Sequence, residues 1–501
     1  MSRINTNINS MIAQNTLMQQ QNQLSKSLER LSTGLAINSG ADNPAGLIAS
    51  QNLQSQEASL NAAIGNAQRA EQISNIAEGG LQEIQSQLLQ LQSLVGQTAN
   101  TAGLSDAEKA ANQQQVDAIL QTIDRISSTT SFAGTKLLNG TYDFTTSNVG
   151  SSVADYQINA AKIPFNGNVD VKAVITASAQ HAGMYLSMGG ALDLTNASST
   201  FVFDLGGAGG SHQFSFGSGT AMADIATAVN SYKSVTGVSA VASGTGLVLK
   251  STAYGSNQFV SFTVDSLGGQ SKGDGVHLLS STNEDQASTV AANTTAWASV
   301  NNIRDAGQDV GAIINGIKAS GSGTTASVSN DSLDMSVTFT NTGAQTTGGV
   351  SLFKITGGGA TFSMGPSIDI LNQVSLGIKN VATRNLGNST DGWLSDLASG
   401  GSTNLITGNM NSAQTIVNNA INQISTLRGR LGSFQSNIAD STINALNVNL
   451  QNTTAAESQI TDTNFASETA NMTRDQILVQ AATSVLSTAN TMPQYVLKLL
   501  G

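Results

Sequence analysis

Gly269-Gln-Ser-Lys-Gly273 fits the Gly-x-Ser-x-Gly pattern, in which a strained strand-to-helix turn exposes a serine hydroxyl for nucleophilic attack, and His277 follows four residues on. That chemistry needs a strand before the serine and a helix after it, and both flanks read as loop. A chain with 50 glycines meets such a pattern by composition alone, so no catalytic residue is expected. The histidines, His181, His212 and His277, share no ligand spacing. Cysteine is absent, which excludes disulfides, thiolate nucleophiles and zinc–thiolate sites. No phosphate-loop lysine pattern, His-Glu-x-x-His or calcium-loop spacing occurs. The expectation is a chain that is not an enzyme and takes no metal or cofactor.

Binding chemistry is as restricted. Of the 501 residues 11% are charged and 4% aromatic, and the net charge is −11. That balance repels phosphate backbones and anionic lipid, so nucleic acid is not an expected partner. No run of eighteen apolar residues is present, and membrane insertion is not expected. The opening MSRINTNINSMIAQ lacks an apolar h-region and a small-residue cleavage site, unlike an ordinary cleaved secretory signal.

What remains is the placement of apolar side chains. Residues 1–140 contain one aromatic, Phe132, and residues 405–501 only Phe434, Phe465 and Tyr495; the rest lie in 141–404 with most of the glycines. Two helix-compatible ends therefore flank a Gly- and aromatic-rich middle that should be mostly strand. In the first segment Ile4, Ile8 and Met11, then Leu24, Leu28, Leu31 and Leu35, recur at steps of three and four. The run should end in the turn formers Asn38 to Gly46. Next, Leu53, Leu60, Ala67, Ser74, Leu81, Leu88 and Val95 fall seven apart, with Ala63, Ala70, Ala77, Ile84 and Leu91 three beyond, a heptad pattern interrupted only at Gly79-Gly80. After a break near 103–112, Val116, Ile119, Leu120, Ile123 and Ile126 predict a third helix.

The far end mirrors this. Val417, Ile424, Leu431, Ile438 and Ala445 are seven apart, with Ala420, Leu427, Phe434 and Val448 in complementary places. Leu478, Ala482, Val485, Ala489, Met492, Val496 and Leu499 then step by four and three. Such a stripe must find a partner, and the first segment carries a matching one. In the middle, 199–205, 213–216, 238–249 and 258–264 read as strands and 221–235 as a helix, with a comparable pattern at 312–317, 326–339 and 350–362. One or two small α+β domains inserted between helical ends are expected. Trp297 and Trp393 should be core residues of the middle and its junction.

The polar faces of the end helices omit charge. Residues 1–41 hold only Arg3, Lys26, Glu29 and Arg30, and residues 456–501 only Glu457, Asp462, Glu468, Arg474, Asp475 and Lys498. An amide keeps its hydrogen bonds across a contact, whereas an unpaired charge is costly there. Two readings stand: helices packed on all sides in a polymer, or an ordinary helix pair with an amide-rich outside. Lys109, Asp124, Arg125, Arg428 and Arg430 are candidates either for ion pairs between copies or for solvated faces. Met11, Met18, Met472 and Met492 read as packing residues.

Arg30-Leu-Ser-Thr-Gly-Leu-Ala-Ile-Asn-Ser-Gly-Ala-Asp-Asn-Pro-Ala-Gly-Leu-Ile-Ala-Ser50 closely resembles the N-terminal signature of bacterial flagellins. Ile460-Thr-Asp-Thr-Asn-Phe-Ala-Ser-Glu468, Gln476-Ile-Leu-Val-Gln-Ala481 and the closing Ala489 to Leu500 resemble the family's C-terminal signature. Ile123-Asp-Arg-Ile and Phe132 to Gly140 fit the same family, and 198–268 is similar to an insertion module of flagellin outer domains.

The resemblance implies a multidomain fold: a long antiparallel α-helical coiled coil or bundle formed by the N- and C-terminal segments, with inserted β-rich (α+β) outer domains. Residues 1–44 and 460–501 would be the terminal helices of a filament's inner core, 45–145 and 370–459 a helical bundle, and 146–369 a variable outer region with the insertion-type module at about 198–268. Ile4, Ile8, Met11, Leu24, Leu28, Leu31, Leu35, Leu478, Ala482, Val485, Ala489, Met492, Val496 and Leu499 would form the self-assembly seam. Leu53, Leu60, Leu81, Ile84, Leu88, Leu91, Ile424, Leu427, Leu431, Phe434 and Ile438 would form the bundle core. The implied function is a subunit that polymerises into the extracellular flagellar filament. Its implied partners are further copies of itself, the flagellar export apparatus and an export chaperone, and the filament cap and hook-associated proteins. A hook–filament junction protein, or an adhesin or enzyme carried on the same scaffold, are the alternatives. Family members recognised by the vertebrate innate receptor carry an arginine and a glutamate where this chain has Gln90 and Gln115, beside a retained Leu94, which implies weakened recognition.

Overall fold

Asn7 opens the first helix: its side-chain oxygen accepts the amide of Ser10 at 3.1 Å. Helix α1 (Ile8–Thr33) then runs to Gly34, whose left-handed backbone (φ 77°) closes it by donating its N–H to the carbonyl of Arg30. The helix therefore stops before the Asn38 turn, and Leu35 lies beyond it. In that turn the Asp42 carboxylate accepts the Ser39 hydroxyl and amide and the Asn38 amide. Those bonds, the Ser39 hydroxyl first, hold its pKa below the ordinary carboxylate value.

The computed structural model describes residues 6–100, 103–164, 167–196, 198–270, 272–278, 294–297 and 302–500, the side chains of 294 and 496–500 excepted. Ile4 lies outside the described residues, as do the side chains of Val496 and Leu499. Pro44 begins α2 (Pro44–Thr98), where its missing N–H costs nothing. The helix runs 55 residues without a break at Gly79-Gly80. A β-carbon at Gly80 would approach Leu138 and Thr130 to 2.8 Å, whereas at Gly79 nothing lies within 4 Å. The first glycine is conformationally idle, and the second admits the 130–138 loop against the helix. Helix α3 (Asp106–Thr129) starts at a capping box: the Ser105 hydroxyl accepts the Glu108 amide at 3.3 Å, and Glu108 accepts the Ser105 amide at 2.7 Å. The break expected at 103–112 therefore ends at Ser105.

The middle forms two β bodies. In one, a five-stranded antiparallel sheet (Ile317–Lys318, Gly311–Ile314, Val169–Ala177, Gly348–Gly358, Phe144–Ser147) encloses a core with a four-stranded sheet (Ser320–Ser322, Thr325–Ser329, Leu333–Phe339, Val153–Ala161). Alternation along Leu333–Phe339 sends Leu333, Met335, Val337 and Phe339 into that core. In the other, a five-stranded sheet (Thr294–Thr295, Gly275–Leu278, Gly183–Ser187, Gly246–Ser251, Val238–Ser243) and a four-stranded sheet (Ile303–Ala306, Phe259–Ser266, Thr200–Gly207, Gly210–Gly217) bury Phe201, Phe203 and Phe262. Helix α4 (Met222–Ser231) packs Ile225 and Val229 into the same core, and Asn230 clamps the backbone of Ala240 through both ends of its amide. The run 238–249, expected as one strand, is a hairpin turning at Gly244, and 326–339 turns at Asn330, whose side chain accepts the amides of Ser332 and Leu333.

The second β body is entered and left through a narrow neck. Gln180 and Gln308 exchange backbone hydrogen bonds of 2.8 and 3.0 Å. Asp309 accepts the amide and hydroxyl of Ser256 and the amide of Gly323, tying a loop of one body to a loop of the other. Burial raises the Asp309 pKa, but these hydrogen bonds outweigh it and leave it lowered.

At the far end α5 (Met410–Ser433) continues into a π-helical segment, Phe434–Ala439, then α6 (Asp440–Thr461) and α7 (Phe465–Leu500). The heptad pattern is buried through Val417, Ala420, Ile424, Leu427, Leu431 and Phe434. It then jumps five residues to Ala439, with Leu446 seven beyond. The π turn holds one residue more than an α turn and rotates everything after it. Ile438 is accordingly 39% exposed rather than a core residue, and Val448 is exposed as well. Residues 1–79, 362–373 and 426–501 form one compact unit, and 80–361 with 374–425 a second. The boundary expected between 369 and 370 falls inside a turn that belongs wholly to the first.

These local geometries can be tested by stability measurements. Gly80→Ala should be less stable than Gly79→Ala by about 1–3 kcal/mol in urea unfolding, since helix propensity cancels between them and only the first adds a clash. Removing the carboxylate with Asp309→Ala should lower the melting temperature above the ordinary Asp pKa of about 3.9. Because the folded pKa is depressed, this difference should shrink as pH falls below that value and vanish beneath the folded pKa, as read by calorimetry.

Candidate self-assembly surface

Helices α1 and α7 lie antiparallel along one another. Near one end, the Asn7 amide donates to the carbonyl of Ala489 at 2.8 Å and the Ser10 hydroxyl to Asn490 at 2.6 Å. Further along, Ser27 donates to Asp475 at 3.4 Å, and Arg30 stands 4.0 Å from Glu468. Beyond the helix ends Ala36 donates to Thr461 and Thr463 to Gly34, closing the pair with a short backbone bridge.

The line of lowest exposure on α1 is Ser10, Ala13, Leu17, Gln20, Leu24, Ser27 and Leu31, and on α7 it is Glu468, Met472, Asp475, Val479, Ala482, Leu486, Ala489 and Pro493. Both lines step by three and four. Of the spacing-derived residues, Leu24 and Leu31 are half-buried on this line, and Ala482 and Ala489 are buried at 9%. Ile8, Met11, Leu28, Leu478, Val485 and Met492 are not on it, and neither is Leu35, which has left the helix. Val485 is 59% exposed. Small side chains at Ala13, Ser27, Ala482 and Ala489 let the axes approach, half-buried Leu17, Leu24, Leu31, Val479 and Leu486 fill the line between them, and the remaining aliphatics flank it. Charge enters the line as well, since Asp475 is only 2% exposed.

The flanking aliphatics form an outward apolar surface. Ile12 and Met18 join Ile8, Met11 and Leu28 on α1; Ile477 and Tyr495 join Leu478, Val485 and Met492 on α7. Between them lies a groove of about 470 Å³, lined by Ile12, Ala13, Leu478, Ala482, Val485 and Ala489. Sequence reasoning missed Ile12, Ile477 and Tyr495, and Met18, expected as a packing residue, is exposed on this surface instead. The signal was a second apolar line one position from the first, invisible when only one stripe per helix is sought.

The expected bundle residues Leu60, Leu81, Ile84, Leu88, Leu91, Ile424, Leu427, Leu431 and Phe434 are all buried, and Leu53 is half-buried. Leu60 and Ala63 cluster with Leu446. A polar row on α3 was not foreseen. Gln113, 1% exposed, donates to the carbonyl of Leu397 and accepts the amide of Leu405; Asp117 accepts Ser399; Asp124 accepts the amide and hydroxyl of Thr383. Burial raises the Asp117 pKa, but the bonds from Ser399 and Gln113 outweigh it and leave it lowered. These carboxylates and amides hold the 383–405 segment.

Other candidates find partners within the chain. Arg428 pairs with Glu78 at 2.7 Å and Lys109 with Asp106 at 3.5 Å, while Arg125 is exposed and Arg430 half-buried. Trp297 is buried edge-on to Phe201, whereas Trp393 is exposed rather than a core residue. In the Gly269–Gly273 stretch Ser271 lies outside the described residues. Its neighbour Gln270 is buried and donates to the carbonyls of Met188 and Lys272. Gln90 and Gln115 are exposed, and Leu94 is buried. Among the described residues no helix is long and apolar enough to cross a membrane.

Residues 4–143 match the bacterial flagellin N-terminal helical region, 414–500 the C-terminal helical region, and 200–253 the flagellin hook IN motif. The chain is 30% identical to the B-type flagellin of Pseudomonas aeruginosa, 31% to the flagellin of Salmonella typhimurium and 28% to flagellin A of Helicobacter pylori. Each alignment covers 99% of both chains. Paired end helices with an apolar outer surface, β bodies inserted between them in the chain and end-to-end similarity place the chain in the bacterial flagellin family, as a structural subunit of the extracellular flagellar filament and not an enzyme.

Proposed function

We propose that the filament is built by lateral packing of the α1–α7 pair. Residues 1–44 and 460–501 form an inner coiled coil, 45–145 and 370–459 a surrounding helical bundle, and 146–369 the outer region with its insertion module near 198–268. The observation that supports this is the outward apolar surface. Fully burying one such aliphatic side chain is worth about 1.5–3 kcal/mol, so a neighbouring copy that covers several supplies a gain no single subunit obtains. The amide and hydroxyl side chains around that surface keep hydrogen bonds across a contact where charges would be stranded. Ile8, Met11, Leu28, Leu478, Val485 and Met492 thereby serve as contacts between copies, and Leu24, Leu31, Ala482 and Ala489 as contacts within the pair.

The chain also suits export before assembly. With no cysteine and four prolines it passes as an unfolded polypeptide without disulfides and with few slow isomerisations. On this reading it is secreted through the flagellar export apparatus with an export chaperone, and it meets cap and hook-associated proteins at the filament's ends. The innate-receptor reading rests on Gln90 and Gln115, which present neutral amides where recognised relatives carry charges.

Electron microscopy of seeded subunits tests the assembly reading. Val485→Asp should cut filament mass by about tenfold or more, because a buried unpaired charge costs several kcal/mol, while the β bodies melt as in the parent. Leu31→Asp should do the same and also loosen the helix pair. Long filaments from either variant would contradict the proposal. In a receptor reporter assay, Gln90→Arg with Gln115→Glu should raise the response to monomer by about tenfold, the scale of restored charged hydrogen bonds; an equal response would remove the assignment.

A further inference from the structure

The 364–372 turn carries an aliphatic side chain in an unusual setting. Ile368 is 96% exposed and Leu371 71%. Turn tips ordinarily carry Gly, Asn, Asp, Ser or Pro, whose polar side chains or backbone preferences suit a bend in water. Nor is this tip loose. The Met364 amide donates to the carbonyl of Asn372 at 2.9 Å, and the Asn372 amide to that of Asp369 at 3.1 Å. The Asn372 side chain donates to the Ser367 carbonyl at 3.2 Å and hydroxyl at 2.7 Å. Pro366 restricts the backbone two residues before Ile368. At its base Phe362 meets Phe434, ring centroids 6.0 Å apart, so the turn stands on the π-helical segment.

We propose that Ile368, flanked by Leu371, is a knob that inserts into an apolar socket on a second copy of this chain in the filament. The inference rests on the self-assembly reading and adds a contact outside the end helices. Two side chains bury far less than the roughly 800 Å² per partner that a stable separate complex needs. The knob therefore acts only as part of a larger repeating contact, which a homopolymer supplies at every subunit. Its hydrogen-bonded frame holds Ile368 in place beforehand, so docking orders little that is mobile. Asp369, the tip's charged residue, is exposed beside Ile368, so the proposed socket takes the aliphatic side chains and leaves this carboxylate at its solvated rim.

The absence of cysteine makes the test clean. Ile368→Cys is introduced in the full chain, with Val241→Cys, at an exposed position in the second β body, as the reference. Maleimide labelling is measured in dilute subunit and in filaments co-polymerised with parent. In the free subunit the thiol of Ile368→Cys should react as fast as that of Val241→Cys. In the filament the first should react at least about tenfold more slowly, as a desolvated contact requires, while the reference thiol stays reactive. Equal rates in filament and subunit for Ile368→Cys would overturn the knob while leaving the filament reading intact, whereas failure of the parent to polymerise would strike that reading instead. In a second arm, Ile368→Asp should raise the subunit concentration needed for growth by about tenfold, and Ile368→Val should restore it. An unchanged growth threshold for Ile368→Asp would also overturn the proposal.

Discussion

Close approach of α1 and α7 is the constraint on which the helical unit rests. The most buried positions of the contact are small or polar, Ala13, Ser27, Ala482, Ala489 and Asp475, alternating with half-buried Leu17, Leu24, Leu31, Val479 and Leu486, while Ile8, Met11, Leu28, Val485 and Met492 lie on the flanks. The pair thus buries little apolar area for its length, and helices with narrow buried stripes are marginal in water. Under the assembly reading, the same exposed side chains that weaken the isolated pair are what each added copy covers. On that reading, weakness of the isolated pair and cohesion of the polymer have one origin.

Much of the helical architecture could be read from spacing. The long heptad run of α2 is buried almost position by position, because the helix passes Gly79-Gly80 unbroken and so keeps its phase for tens of residues. Phase is lost where a local event alters the count. The π segment adds a residue that no periodicity reveals, so Ile438 and Val448 turn out of the core. On α1 and α7 the leucines draw attention away from the alanines beside them, since hydrophobicity ranks side chains by burial value and not by how near they let two helices come. In the middle, alternation locates the strands, but hairpins at Gly244 and Asn330 need turn chemistry that an apolar run conceals.

Side-chain hydrogen bonds were the least legible layer. Gln113, Asp117 and Asp124 look like an ordinary solvated face of α3, yet each holds the backbone of a segment hundreds of residues later in the chain. Asp309 is similar, a carboxylate whose partners Ser256 and Gly323 come from separate loops. Such contacts depend on distant chain segments converging, and no local pattern encodes that. The family signatures carry information of this kind without explaining it: they imply an architecture, while the physics of its joints is visible only in the folded chain.

The paired glutamines at the neck have an architectural corollary. The chain leaves one β body at Gln180 and returns at Gln308 with the two crossings hydrogen-bonded to each other, and beside them the loop contacts of Ser256 and Tyr254 tie the second body to the one beneath. A loop whose ends are so near can be lengthened, shortened or exchanged at little entropic cost to what lies beneath. The face displayed to the surroundings can therefore diverge freely, or be grafted wholesale, while the helices stay under unchanged selection.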